Sequence, residues 1–300
     1  MADWKFRGNR PSIKADYDIA ASFVHDVSKN LGSWLCLDAS MSELLQIMEL
    51  AEKIARDAGA LLMQRPSKFA LDEKSGVLDF ATQMDHASEK LIVTAITAAR
   101  PDDGLIGEEG AARVGTSGFT WIIDPIDGTV NYLYDLPGWC ISIGVKDAEG
   151  YCVGVIYSPT TNSLWKAARG HGSFLNGNKI RCNEPVTLDR ALLGTGFAYD
   201  RERRKTQSEF IKNLLPQIRD LRRMGACAAD VSSVAAGALD GFFETGVNEW
   251  DFAASFVIAS EAGAKVLARP VWNGKKYLIV VAGPTLHQAL MAQIEGSDLA

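Results

Sequence analysis

From Ser42 onward the apolar positions fall at helical spacing: Leu44, Leu45, Ile47, Met48, Leu50, Ala51, Ile54, Ala55, Ala58, Leu61 and Leu62 form one stripe, which Pro66 ends. That spacing predicts an amphipathic helix. A loop or hairpin over residues 67–82 follows, and then a second helix over 85–99 that opens on Asp85, a side chain able to cap it, and closes at Arg100-Pro101. A short apolar strand, Thr120-Trp121-Ile122-Ile123, comes next. The period then changes to two: Ile141, Ile143 and Val145 alternate with Ser142, Gly144 and Lys146, and after a Glu149-Gly150 turn residues 151–157 continue as a neighbouring antiparallel strand. Residues 163–168 supply another strand, and Asn176-Gly177 is a tight-turn signal before Lys179-Ile180-Arg181. The first half thus reads as a helix pair on an antiparallel sheet.

Beyond Pro185 helical and strand patterns alternate: strand 191–196, helix 204–215, strand 220–224, helix 228–238, strand 241–244, helix 251–262, strands near Ala264 and Tyr277, and helix 285–294. That is a layered α/β pattern. Residues 1–40 stand apart, mixing Trp4, Gly8, Pro11 and scattered charges with a faint helical patch at 17–27. They read as an extension ahead of a chain that could start at Met41. The division is therefore an extension (1–40), an α+β half (41–185) and an α/β half (186–300), with no internal repeat or long linker, so the two halves are expected to pack tightly.

Composition narrows the function more than the fold. With 47% hydrophobic and 23% charged residues among 300, a sizeable buried interior is expected. The formal charge of −6 argues against direct nucleic-acid binding, which calls for a basic face. Five scattered cysteines (Cys36, Cys140, Cys152, Cys182, Cys227) without a C-x-x-C pair read as reduced thiols of a cytoplasmic protein, neither a disulfide framework nor a zinc site. No signal peptide or membrane-length apolar run is visible.

The chemistry concentrates between residues 107 and 129. Gly107-Glu108-Glu109 and Asp124-Pro125-Ile126-Asp127-Gly128-Thr129 place four carboxylates in an apolar setting. Glu108, Asp124, Asp127 and the Ile126 carbonyl, which Pro125 helps to aim, are hard oxygen ligands suited to Mg2+ or Mn2+. Pro125 and Gly128 exclude a helix through this segment. Gly128-Thr129 then offers bare N–H groups and a hydroxyl where a helix could begin, and together these features suit a phosphate beside a metal. No Ser-His-Asp spacing, Walker loop or G-x-G-x-x-G follows a strand, and His86 and His171 read as surface residues without chemistry.

These segments resemble the inositol monophosphatase-like sugar phosphatases, most closely the bacterial extragenic-suppressor type. Gly107-Glu108-Glu109 matches the first acidic motif of that family, Asp124 to Thr129 the central one, and Trp250-Asp251-Phe252-Ala253-Ala254 the third. The similarity also takes in Lys74-Ser75, Thr82-x-x-Asp85, Gly170-x-Gly172-Ser173-Phe174-x-Asn176-Gly177 and residues 222–244, and it leaves residues 1–40 unmatched. It implies a layered αβαβα fold, a homodimer, and Mg2+-dependent hydrolysis of a phosphate monoester with sensitivity to Li+.

Carried over residue by residue, the resemblance gives Glu108, Asp124 and the Ile126 carbonyl to one metal and Asp124, Asp127 and Asp251 to a second, with Asp124 bridging. Two such ions stand about 3.5–4 Å apart, one acidifying a water and the other stabilising the leaving oxygen. Glu108 accepts hydrogen bonds from that water, Thr129 positions it with Asp85 behind, and Gly128 and Thr129 N–H groups hold the phosphate. Lys74 falls on a loop over a third, weaker metal position, and Glu109 supports its neighbour. Asp251 reads equally as the N-cap of the helix that follows it, and one carboxylate can do both.

Contacts to the alcohol fall to Gly225, Ala226, Cys227 and Glu244, with Cys227 departing from the family's usual alanine; Glu244 also reads as an exposed strand-end carboxylate. Arg222 matches a substrate-reaching position, while Arg219, Arg222 and Arg223 equally suit a solvated or dimer-facing cluster. The leading substrate is myo-inositol 1-phosphate; histidinol phosphate, fructose 1,6-bisphosphate and 3′-phosphoadenosine 5′-phosphate are rivals within the family. The rival outside enzymology is a regulatory partner of the transcription machinery.

Overall fold

The computed structural model describes residues 42–76 and 79–299; the helical patch at 17–27 and Cys36 lie outside them. In chain order the elements are α1 (Glu43–Leu62), β1 (Leu71–Gly76), β2 (Asp79–Thr82), α2 (Gln83–Ala99), β3 (Gly104–Gly107), β4 (Ala112–Arg113), β5 (Thr120–Asp127), α3 (Thr129–Leu133), β6 (Cys140–Asp147), β7 (Gly150–Ser158), β8 (Ser163–Ala168), β9 (Gly172–Leu175) and β10 (Asn178–Lys179). After these come β11 (Leu192–Thr195), α4 (Arg201–Leu214), β12 (Asp220–Arg222), α5 (Cys227–Ala235), β13 (Gly241–Val247), α6 (Glu249–Glu261), β14 (Lys265–Val271), β15 (Lys276–Ala282) and α7 (Pro284–Glu295).

Five layers result. The stripe on α1 and the apolar face of α2 bury Ile47, Ile54, Leu61, Leu91 and Ile92 against Ile123, Ile141, Ile143 and Val155 of an eight-stranded sheet ordered β10-β9-β8-β7-β6-β5-β3-β4. The other face of that sheet meets α5 and α6, which in turn lie on a five-stranded sheet ordered β12-β11-β13-β15-β14. Phe210, Leu214, Leu286, Leu290 and Ile294 of α4 and α7 cover its outer face. This is the expected αβαβα order. Helix α6 is clamped between two sheets, so Phe252–Ala259 are buried all round and no amphipathic stripe marks it. Gly144 and Gly154 make the contact possible, because a Cβ at Gly154 would drive into the Ala254 carbonyl.

Three local expectations need correction. The first sheet is mixed, since β3 runs parallel to β5, with Gly107 opposite Ile123. Helix α2 is capped by Thr82, and Asp85 is its N3 residue, returning a hydrogen bond to the Thr82 N–H. Helix α6 is likewise capped by Asn248, with Asp251 at N3. In both helices the acid sits three positions past the N-cap, as the reciprocal box requires. The Asn176-Gly177 turn has both φ angles positive (49° and 81°), as a two-residue hairpin demands.

Candidate active site

Parallel pairing of β3 with β5 brings both acidic segments to one sheet end, because Glu108 follows the C-terminus of β3 and Asp124 to Asp127 close that of β5. In β5 the register against β6 shifts between Asp124 and Asp127, and Asp124 Oδ1 accepts the Ile126 N–H at 3.0 Å. The chain then turns at Gly128, whose φ is 89° and whose missing Cβ leaves room for Ala226 and the Gly138 and Gly225 carbonyls, each 3.2 Å from that point. Helix α3 starts at once. Thr129 Oγ1 lies 3.2 Å from Asp85 Oδ1 and 3.1 Å from the Ile126 carbonyl oxygen, so the Thr129–Asp85 pair forms as expected.

Two carboxylates are tied into the second half. Asp127 accepts the Cys227 N–H at 3.1 Å and the Ala228 N–H at 2.6 Å, the free amides at the start of α5, and the Cys140 thiol at 3.7 Å. Asp251 accepts the Asn248 N–H at 2.6 Å with one oxygen. Both face a cleft of about 330 Å³ that Glu108, Asp124, Ile126, Gly128, Thr129, Gly225, Ala226, Cys227, Glu244 and Lys74 also line. Gly196 stands so close to the Glu244 carboxylate that any side chain there would collide with it.

Arg222 is not among these residues. It is exposed on the edge strand β12 and its Nη1 lies 2.6 Å from Asp220, while Arg223 faces the cleft instead. Arg223 lies one residue past the end of β12, where the chain leaves the sheet edge toward the cleft, which accounts for the shift. Glu109 also stays out of the cleft: it accepts Lys74 Nζ at 2.6 Å, and His86 Nδ1 stands 3.6 Å from its other oxygen. Lys74 Nζ reaches Glu108 as well, at 2.9 Å.

Sequence reasoning missed several residues that build the site. Asn131 donates from Nδ2 to the Gly138 and Met224 carbonyls, binding the segment after the central motif to the loop before α5. Asp230, Tyr199 and Lys276 line the cleft and were not singled out, and Arg223, read only as part of a solvated or dimer-facing cluster, lines it too. Glu89 and Ser88 were equally silent.

Burial dominates the electrostatics. Asp124 (2% exposed) is pushed well above the usual carboxylate range by desolvation, then by Glu108, Asp127 and Asp251. Desolvation lifts Asp127 (8% exposed) to about 7, against the opposing pull of the Ala228 and Cys227 amides. It raises Asp251, Glu244 and Asp230 to about 8, and Asp85 to about 6. Among the described residues no three carboxylates close into a finished ion cage, and Lys74 is the cation that Glu108 holds. The donor set nevertheless fits divalent cations: hard oxygens, buried and mutually repelling, gain most from a compensating positive charge. The free thiols Cys140, Cys152, Cys182 and Cys227 form no disulfide.

Residues 43–298 match the inositol monophosphatase family. The inositol-1-monophosphatase SuhB of Mycobacterium tuberculosis is 34% identical over 275 residues, 85% of this chain and 95% of that protein. The Nus factor SuhB of Escherichia coli is 35% identical over 257 residues, covering 83% and 95%. Among solved structures, the extragenic suppressor protein SuhB of Bartonella henselae superposes with a TM-score of 0.77 at 29% identity, covering 82% of this chain and 97% of that one. The family is in general metal-dependent, in keeping with the acidic cleft. With three motifs gathered in one cleft and the match running through nearly all of the described residues, the chain belongs to the inositol monophosphatase family and is a phosphatase acting on phosphate monoesters.

Proposed function

We propose that this enzyme hydrolyses myo-inositol 1-phosphate to myo-inositol and phosphate with Mg2+ as its metal, Mn2+ being an alternative. The observation that carries this reading is the convergence of Glu108, Asp124, the Ile126 carbonyl, Asp127 and Asp251 on one cleft whose other wall presents Glu244. Glu108, Asp124 and Ile126 would hold one ion and Asp124, Asp127 and Asp251 a second, with Lys74 beside a third. When bound, the ions supply the charge that acidifies a water and stabilises the departing oxygen. The chain's own groups do the rest. Thr129 Oγ1, held by Asp85, orients the water for attack on phosphorus opposite the bond to the alcohol. Gly128 and Thr129 N–H groups retain the phosphate oxygens. Glu244 accepts the ring hydroxyls, with Gly225, Ala226 and Cys227 shaping the floor beneath them.

Phosphate release tests this directly. Among myo-inositol 1-phosphate, histidinol phosphate, fructose 1,6-bisphosphate and 3′-phosphoadenosine 5′-phosphate, the first is expected to show the highest kcat/KM, with activity lost in EDTA and reduced by Li+. Preference for another substrate, or release that survives EDTA, overturns the reading. Thr129→Val is expected to lower kcat by about 100-fold with KM nearly unchanged, because the hydroxyl acts on the water and not on the alcohol.

Exposed Leu136 and Met224, both bonded to Asn131, and exposed Tyr134 at the end of α3 support assembly as a homodimer. Among the described residues no helix is long and apolar enough to cross a membrane; the scattered cysteines without a C-x-x-C pair support a cytoplasmic location. The Nus-factor naming of the Escherichia coli relative supports a second task beside the transcription machinery, in addition to catalysis.

A further inference from the structure

We infer that Glu89 is a positioning residue for the metal site, and that with Ser88 it makes the first turns of α2 a polar template for both acidic turns; this rests on the metal-dependent reading above. Asp85, Ser88 and Glu89 occupy positions i, i+3 and i+4 of α2, so they share one helix face. All three are buried, an unusual cost for polar side chains unless each is bonded. Each meets a different segment of the site. Asp85 reaches Thr129, Ser88 Oγ donates to the Pro125 carbonyl at 3.2 Å, and Glu89 takes the turn that carries Glu108.

The Glu89 contacts use the whole carboxylate. Oε2 accepts the Glu109 N–H at 2.8 Å and Oε1 accepts the Ala111 N–H at 2.9 Å. Gly107 N–H closes the same turn on the Ala111 carbonyl at 2.7 Å, and a Cβ on Gly107 would strike the Glu89 carboxylate. The glycine of the first acidic motif is therefore explained by Glu89, which packs where its side chain would be. Charge-assisted bonds to two amides on either side of Gly110 fix the turn from beneath, and Glu108 points into the cleft, where it holds Lys74. Ser88 does the corresponding work on the central motif: with its hydroxyl on the Pro125 carbonyl and Asp124 on the Ile126 N–H, the Pro125-Ile126 peptide is held at both ends. The two ligand-bearing turns are thereby kept in register by adjacent residues of one helix.

Mg2+ titration calorimetry of metal-stripped protein tests the template without recourse to turnover. Glu89→Gln keeps shape but turns an NH2 group toward one of the two amides, and it is expected to raise the Kd for Mg2+ by about 10- to 100-fold, the scale of an outer-shell partner. Ser88→Ala, which removes one neutral hydrogen bond, is expected to raise it about threefold. A merely structural residue would lower the Tm of the metal-free protein and leave the Mg2+ affinity alone. A Kd within twofold of wild type in both variants overturns the inference, and if Glu89→Gln fails to fold, Ser88→Ala decides it. Failure of the wild-type protein to bind Mg2+ would instead sink the reading on which the inference rests.

Discussion

Asp127→Asn is expected to lower kcat for Mg2+-dependent phosphate release by about 1,000-fold or more, the scale seen when one preorganised electrostatic group is removed from a transition state. The substitution is informative because asparagine separates the cap that Asp127 provides from the ligand role proposed for it. As a cap it accepts the Cys227 and Ala228 amides at the start of α5, and an asparagine oxygen retains one of those bonds. In the proposed ligand role it would contribute a full negative charge, which asparagine lacks. Burial already holds Asp127 near a pKa of about 7, so the charged form is costly to the metal-free fold and its loss relieves that cost. The variant should consequently melt within a few degrees of the metal-free wild type while losing activity. Turnover within tenfold of wild type would show that Asp127 is not a metal ligand.

The same residue shows why part of this site was readable from sequence. Asp124 to Thr129 is contiguous, so its ligand spacing is printed in the chain, and the Glu108 and Asp251 motifs are local in the same way. Their common cleft follows from pairing β3 with β5 and from seating α5 and α6 between the sheets. What was illegible depends on tertiary approach. Glu89 acts on amides 20 and 22 residues away, and nothing in its neighbourhood distinguishes it from an ordinary helical glutamate.

Arg222 and Arg223 were separable only by where β12 ends: Arg222 is its last residue and Arg223, just past it, lines the cleft. Asp85 and Asp251 were placed at helix starts but three residues too early in role, because Thr82-x-x-Asp85 and Asn248-x-x-Asp251 are reciprocal boxes whose cap is the first member. Helix α6 was read as 251–262 from the alternation of helical and strand patterns, yet nothing in that pattern marked the two sheets that bury Phe252–Ala259.

The metal-free protein is expected to lose thermal stability as pH rises from 5 to 9, and Mg2+ to reverse the trend. Asp127 is held at about 7, and Asp251 and Glu244 at about 8, each chiefly by desolvation. Their unfolded values lie near 4. A carboxyl whose folded pKa is raised binds its proton more tightly in the native state, so its contribution is whole below about pH 4 and is lost as pH climbs through the folded value. Across pH 7 to 8 these groups ionise beside one another in a cleft where Lys74 is engaged with Glu108 and Glu109. Repulsion then falls on the fold. Mg2+ binds the deprotonated form, so its stabilising effect must grow over the same interval in which the metal-free protein weakens. Melting curves at pH 5, 7 and 9, with and without saturating Mg2+, are expected to diverge by about 10 °C at the alkaline end and to converge at the acid end. A Mg2+ effect equal at all three values would mean that the ion binds somewhere other than these carboxylates, because only groups that titrate in this range can couple its affinity to pH.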